Sequence, residues 1–362
     1  LHARLELDMG KYVLKRLFYM LIVLLILSFL MFLLYNGASG DRAKVKAREE
    51  VKALTNIKPE QREKIYSEAY YRYSCEYGTD INNKFVQYLR WMGLYPYTDP
   101  ATGNTTGGGF KGLLQGNFGY SEYYRDDVLN VVREPMKNTI FINVFVTIFA
   151  LAITIPLGIH CAVKRGKLGD RVMQILTIIG YSLPTFLISI LFIWVFCSLL
   201  GIFPPYGMGT PGSDYTGFRF LLDRMYYLAL PLIVMTFCSL GGMTRYVRAS
   251  MIEALSMDCI KTARAKGLRE KVVIYSHAWR NALVPIVTLV VGWFLGIFSG
   301  SVVIEQIFAI NGMGKVMIDA LNTSDNDLIL LMQLFYVLIA LLGNLIIDIV
   351  YGLVDPRVRV NK

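Results

Sequence analysis

Six long apolar runs divide the chain: Leu17 to Tyr35, Thr139 to Val163, Val172 to Phe203, Tyr226 to Tyr246, Ala282 to Val303 and Leu328 to Tyr351. Each is close to or above the roughly 20 apolar residues with which an α-helix crosses a bilayer. The pattern predicts an all-α polytopic membrane protein with six transmembrane helices. A rival interpretation of the first run is a signal peptide, because Gly37-Ala-Ser-Gly40 offers small residues for cleavage. That run is longer than the roughly 7 to 15 residues of a secretory h-region, so it reads as a span. Residues 1 to 8 read as dispensable, with Met9-Gly-Lys-Tyr a natural start.

The polar intervals set the orientation. Basic residues dominate at Lys11, Lys15 and Arg16, at Lys164 to Arg171, and in the loop after Tyr246, whereas charge is balanced over 36–138 and Pro204 to Arg224. Cytoplasmic loops collect Lys and Arg, which puts both termini inside and a large extracytoplasmic loop between helices 1 and 2. Three regions follow: 1–35, the tail and first span; 36–138, the extracytoplasmic insert; and 139–362, a core of spans 2 to 6 carrying a cytoplasmic loop at 251–280.

Two amphipathic helices are expected in the insert. Pro59 suits a first helical turn, with Ile65, Ala69 and Tyr73 down one face. Asp80 is placed to cap the second, with Ile81, Phe85, Leu89 and Met92 as its stripe and Gly93 closing it. Tyrosines at 66, 70, 71, 73, 77, 95 and 97 are available to an external partner, although Tyr just as readily packs a loop's own core or rests at the headgroup level. In the loop at 251–280, Ser256 is placed to cap a short helix from Met257 to Lys266. Gly267 ends that helix, Leu268 folds back on Ala263 as in a Schellman ending, and a second helix runs from Arg269 to Leu283. The charges Lys261, Arg264 and Lys266, with the small Ala263 and Ala265, suit a docking element. A solvated basic loop that touches nothing is the plainer alternative.

Charge and composition remove other functions. A net charge of +10 raises nucleic acid as a partner, but the basic residues flank apolar spans; 54% hydrophobic against 18% charged residues belongs to a membrane protein. Cys75, Cys161, Cys197, Cys238 and Cys259 have no CxxC spacing, so neither a disulfide framework nor a metal site is expected. The nearest approach to a phosphate-cradling P-loop ends in Gly314-Lys-Val316, with Ala309 where the first glycine is needed and no Ser or Thr after the lysine. The chain is therefore expected to bind no ATP and to hold no enzyme active site. Polar groups in the spans are the remaining candidates, since burying them in lipid is costly. Asn344 and Asp348 lie one turn apart and Glu305 sits at the outer end of span five; for Asp348 a structural hydrogen bond or ion pair near the inner interface is the plainer role. Ser182, Thr185 and Phe186 beside Pro184 are better placed to line a pathway, because transporters put their sites at broken helices.

Several segments resemble one family. Asp258-Cys-Ile-Lys-Thr-Ala-Arg-Ala-Lys-Gly-Leu268 with His277-Ala-Trp-Arg-Asn-Ala-Leu283 looks like the coupling loop of oligopeptide and dipeptide ABC-importer permeases of the B type, although Lys261 stands where many importers have a glutamate. Gly112 to Ser121 is similar to the family's "GLLxGDxGxS", with Asn117 for Asp, and Ser182 to Phe186 to its "SxPxF". Val302 to Gly314 matches "VVxExxFxxPGxG" with Asn311 for Pro, and Asn344 to Arg357 matches "NLxxDxxYxxxDPR". The resemblance implies the type I ABC importer permease fold in a bacterial cell membrane. It implies a subunit that moves peptides inward by alternating access, with a homologous second permease, two ABC ATPases and an extracytoplasmic solute-binding lipoprotein as partners. ATP and Mg would sit on those ATPases, with no cofactor on this chain. Asp258, Lys261, Thr262, Ala263, Arg264, Ala265, Lys266, Gly267 and Leu268 would carry the coupling. Ser182, Pro184, Thr185, Phe186, Glu305, Asn344 and Asp348 are the pathway candidates. The alternatives are another solute of the same branch, such as nickel or an oligosaccharide, and an ion-coupled secondary transporter.

Overall fold

The computed structural model describes residues 2–38, 41–54, 58–101, 103 and 109–354. Most of the Thr102 to Gly109 loop and the Asp355-Pro-Arg357 motif lie outside the described residues. The chain forms two compact units, one of Leu1–Leu17, Val132–Ile318 and Leu338–Lys362, the other of Phe18–Val131 and Asp319–Val337.

Among the described residues four helices contain segments long and apolar enough to cross a membrane: Val13–Gly37, Val128–Val163, Gly217–Ser256 and Asn326–Ile349. Two bent pairs bring the number to six if each is one span, Leu168–Ser182 with Thr185–Leu199 at 108°, and Glu270–Leu283 with Pro285–Gly296 at 61°. The third expected span, Val172 to Phe203, is therefore not one kinked helix. Leu183 and Pro184 are both extended (ψ 136° and 137°), and Pro184 becomes the N-cap of the next helix, its carbonyl accepting from Leu187 and Ile188 N–H. Two consecutive extended residues interrupt the i→i−4 ladder completely, where a proline inside a continuing helix would only kink it. Beyond Phe192 the chain winds on as π-helical turns over Ile193–Leu199. The second and fourth helices overrun their apolar runs, starting at Val128 and Gly217, because the flanking polar residues continue the same helices.

The unit of Phe18–Val131 and Asp319–Val337 holds three further helices, Arg42–Ala53, Pro59–Tyr77 and Lys84–Met92, and an antiparallel pair of two-residue strands, Tyr120–Ser121 with Asp126–Asp127. Sequence reasoning missed the first of these helices, although Asp41 caps it by accepting from Lys44 N–H and Ala43, Ala47 and Val51 form its buried stripe. Pro59–Tyr77 packs against it, and Ala69 is buried as expected. The cap of Lys84–Met92 is Asn83, which accepts from Phe85 and Val86 N–H, and not Asp80. Asp80 instead accepts from Arg90 and Thr98. Of the expected stripe Met92 is buried, packing with Tyr88 on Phe32, and Leu89 is half-buried, whereas Phe85 is 53% exposed. The tyrosine hydroxyl meets Ser28 at 2.7 Å.

Candidate functional site: the 251–280 loop

The long helix Gly217–Ser256 ends at Ser256, and a second, eight-residue helix follows at once over Asp258–Ala265. Ser256 does not cap it; its hydroxyl donates back to Glu253 O at 2.7 Å. Met257 holds the N-cap position with no side-chain bond, and Asp258 supplies an acid in the first turn, where it complements the helix dipole. The other end is as expected. Gly267 takes φ 75°, its N–H reaches Arg264 O at 2.9 Å, and Leu268 N–H reaches Ala263 O at 3.4 Å, the two bonds of a Schellman motif.

An isolated helix of eight residues is unstable in water, so packing must hold this one. Ile260 (0% exposed) and Ala263 (6%) belong to an apolar cluster with Ile159, Val247, Met251, Val273 and Ile274. Ala263 is thus packed against its own chain's apolar residues. Asp258, Lys261, Thr262, Arg264, Ala265, Lys266, Gly267 and Leu268 are all exposed. The charges are partly paired within the loop: Lys261 to Asp258 at 2.8 Å, and Arg264 to Glu270 at 2.7 Å across the Gly267 turn. Exposed pairs contribute roughly 0–1 kcal/mol, so a partner's carboxylates can compete for both cations at little cost. Glu270 and Ile260 were not singled out from sequence; Ile260 and Ala263 at i, i+3 between polar residues were the available signal.

The neighbouring basic loop has its own anchor. Asp170, fully buried, takes a two-pronged grip from Arg248 at 2.7 and 2.8 Å and accepts from Gly166 N–H at 2.9 Å. This fastens the segment 164–171 to the helix that leads into the candidate loop.

The helix that begins at Thr185 packs against Val302–Ile307, the helix that carries Glu305. Ser182, Pro184 and Phe186 are exposed and Thr185 is half-buried at the 108° bend. Asp348 pairs with Arg16 at 3.0 Å, and Asn344 is exposed. Glu305 is buried and serves the turn after it: one oxygen accepts from Thr139 Oγ1 at 3.1 Å, the other from Lys315 N–H at 2.8 Å. Thr139 in turn accepts from Met313 N–H at 2.9 Å. Asn311, where the resembling pattern has proline, uses the N–H that proline would lack on Met208 Sδ, and its carbonyl accepts from Asn138 Nδ2 at 2.7 Å.

The family described as "Binding-protein-dependent transport system inner membrane component" matches residues 154–360. The chain belongs to it. It is 31% identical to the oligopeptide transport system permease protein AppB of Bacillus subtilis (strain 168) over 97% of this chain and all of that one. It is 34% identical to the dipeptide transport system permease protein DppB of Escherichia coli (strain K12), over 69% of this chain and 79% of that one. A solved structure of the MetNI methionine ABC transporter in inward-facing conformations aligns with TM-score 0.47 and 16% identity, over 61% of this chain and 97% of that one. The protein is a transport subunit of the bacterial inner membrane, not an enzyme.

Gly267 gives the most economical test of the loop's geometry. A Cβ there meets nothing within 4 Å, so the cost of Gly267→Val starts in the backbone, where a left-handed valine costs about 1–2 kcal/mol. The helix end is expected to unwind and the amount of ATPase recovered with a tagged permease to fall, while membrane insertion stays normal.

Proposed function

We propose that this permease carries peptides into the cytoplasm as one of two homologous membrane subunits, driven by two ABC ATPases and supplied by an extracytoplasmic binding lipoprotein. The observation that carries the coupling half of this proposal is the small basic helix Asp258–Ala265, held by two buried side chains and otherwise exposed. Such an element transmits force because it is short and rigidly seated. Closure of the ATPases on ATP and Mg, both bound on those partners, would push through it into the apolar cluster that it shares with the inner helix ends. The names of the relatives support peptides over nickel or oligosaccharides as the transported solute.

In this proposal the chain has the type I importer fold with six spans, both termini and the loop 251–280 inside, and the insert 36–138 outside. The region 139–362 is the working core, and the bend at Ser182, Pro184, Thr185 and Phe186 lines the path. Glu305 holds the shape of the outer turn, and Asp348 acts through its pair with Arg16. An ion-coupled mechanism would need a relay of intramembrane acids, and the pairing of Asp348 does not favour one. The test is uptake of a radiolabelled peptide into vesicles holding the whole transporter and binding protein. Uptake is expected only with hydrolysable ATP; uptake driven by an ion gradient without ATP would overturn the proposal.

A further inference from the structure

The helix Lys84–Met92 carries an apolar face that the insert does not use. Phe85 is 53% exposed, Val86 and Leu89 are half-buried, and Leu94, just past the helix, is exposed. What lies against this face follows from depth. The helix belongs to the same compact unit as residues 18–38 of the first helix and packs directly on them. The ring of Phe85 meets Phe29 edge-on at 5.8 Å, Trp91 lies 5.7 Å from Phe32, and the Tyr88 hydroxyl meets Ser28 at 2.7 Å.

These contacts fix how deep the short helix lies. The first helix is continuous from His2 to Ala38, so each residue adds about 1.5 Å along its axis. Lys15 and Arg16 precede its apolar run, and the roughly 20 residues that cross the hydrocarbon reach from Leu17 to Asn36. Phe29 and Phe32 therefore lie about 10 and 6 Å below Asn36. That is the depth, roughly 5–10 Å, to which helices lying in the plane of a bilayer surface sink their apolar faces. Leu30 of the span, at the same depth, is also exposed, so the apolar surface of Lys84–Met92 adds to one that the span already offers to lipid.

Lipid offers no partner to polar side chains or to open helix ends, and here both are served from inside the unit. Lys84 donates to Gln87 Oε1 at 3.2 Å, Gln87 donates to Ile81 O, and Arg90 pairs with Asp80 and donates to Thr98 Oγ1 at 2.9 Å. Asn83 caps the first turn, the N–H groups of Gly93 and Leu94 return to Arg90 O and Leu89 O, and Gln115 Nε2 donates to Gly93 O at 2.9 Å. We infer that Lys84–Met92 is an interfacial helix, its Phe85 sunk among the acyl chains of the leaflet at the C-terminal end of the first span, and that it ties the insert to the bilayer. The partner of this face is lipid. The inference rests on reading Leu17 to Tyr35 as a span with the insert outside, and it is independent of the transported solute.

The experiment uses the whole transporter in vesicles of phosphatidylcholine and phosphatidylglycerol, with the photoreactive p-benzoylphenylalanine in place of Phe85, of Leu30 as the reference in the span, or of Tyr71 as the reference outside the bilayer. After irradiation, mass spectrometry reads what each site has captured. Sites 85 and 30 are expected to carry phospholipid and site 71 none. A small thiol gives a second reading. Phe85→Cys is expected to react with a membrane-impermeant maleimide at least about tenfold more slowly than Tyr71→Cys, because the reactive thiolate is scarce in apolar surroundings. Phe85 and Tyr71 are 53% and 43% exposed on the chain itself, so in water the two thiols would react alike. Phospholipid at 30 with only protein, or nothing, at 85 would overturn the inference and leave the span standing, and equal thiol rates at 85 and 71 would do the same. Phospholipid at neither site would remove the span and the inference together.

Discussion

Ile260→Ala is expected to detach the helix Asp258–Ala265 and to lower both recovered ATPase and transport at least about tenfold, the equivalent of 1.4 kcal/mol. Ile260 is fully buried in the cluster that joins this helix to Val247, Met251 and Val273. Truncating a buried isoleucine to alanine costs about 2–5 kcal/mol, and an eight-residue helix has no propensity reserve to offset that. Ala263 is the only other buried residue of the helix, so nothing else holds it down. The spans are untouched and the protein is expected to insert normally. Ser256→Ala is the control: the residue is exposed and bonded only to its own helix, and such surface changes stay within about 0.5 kcal/mol. Equal losses in the two variants would mean that the loop responds to any disturbance and that Ile260 is no anchor.

The second large effect is expected at the turn around Gly312. A Cβ on Gly312 would lie 2.4 Å from Glu305 Cδ, and the carboxylate has nowhere to go because it is buried and bonded to Thr139 and Lys315 N–H. Gly312→Val must therefore displace a buried carboxyl from its partners, and breaking such a network costs about 3 kcal/mol or more. Thermal stability of the purified protein is expected to fall by several degrees, well beyond the loss in Glu305→Gln, which keeps the shape.

Glu305 also makes a prediction about pH. Burial pushes its carboxyl above the usual value of 4.5, with the hydrogen bonds from Lys315 N–H and Thr139 opposing in part. The folded protein thus holds this proton more tightly than the unfolded chain does. The resulting stability is fully present below the unfolded value and is lost as pH rises through the higher folded value. Wild type is expected to lose thermal stability relative to Glu305→Gln over that rise; a constant difference between the two would count against the assignment.

What the sequence disclosed follows from how local each feature is. The apolar runs mark the spans because lipid demands them residue by residue, and the end of the short helix was readable because Gly267 and Leu268 act within one turn. The 108° bend was only half visible. Pro184 announces an interruption, and its ring also disfavours helical geometry in Leu183, which leaves the helix; the 108° angle between the two arms has no such local signal. Asp170 and Arg248 are 78 residues apart, and no spacing rule links them. Glu305 looked like a costly polar group near a pathway because its partners are a hydroxyl 166 residues away and a backbone N–H. Neither leaves a mark in the sequence. The helix Arg42–Ala53 was overlooked because a stripe of two alanines and one valine is a weak apolar signal, though Asp41 stood in plain view as its cap.

The central claim, that the exposed face of Asp258–Ala265 is where the ATPase sits, can be tested on the native protein through Cys259. That thiol is exposed on the helix, whereas Cys75 and Cys161 are buried. In inside-out vesicles treated with a membrane-impermeant maleimide, site-resolved mass spectrometry is expected to find Cys259 protected while the ATPase is bound and labelled once the ATPase has been stripped off. Equal labelling of Cys259 with and without the ATPase would contradict the account.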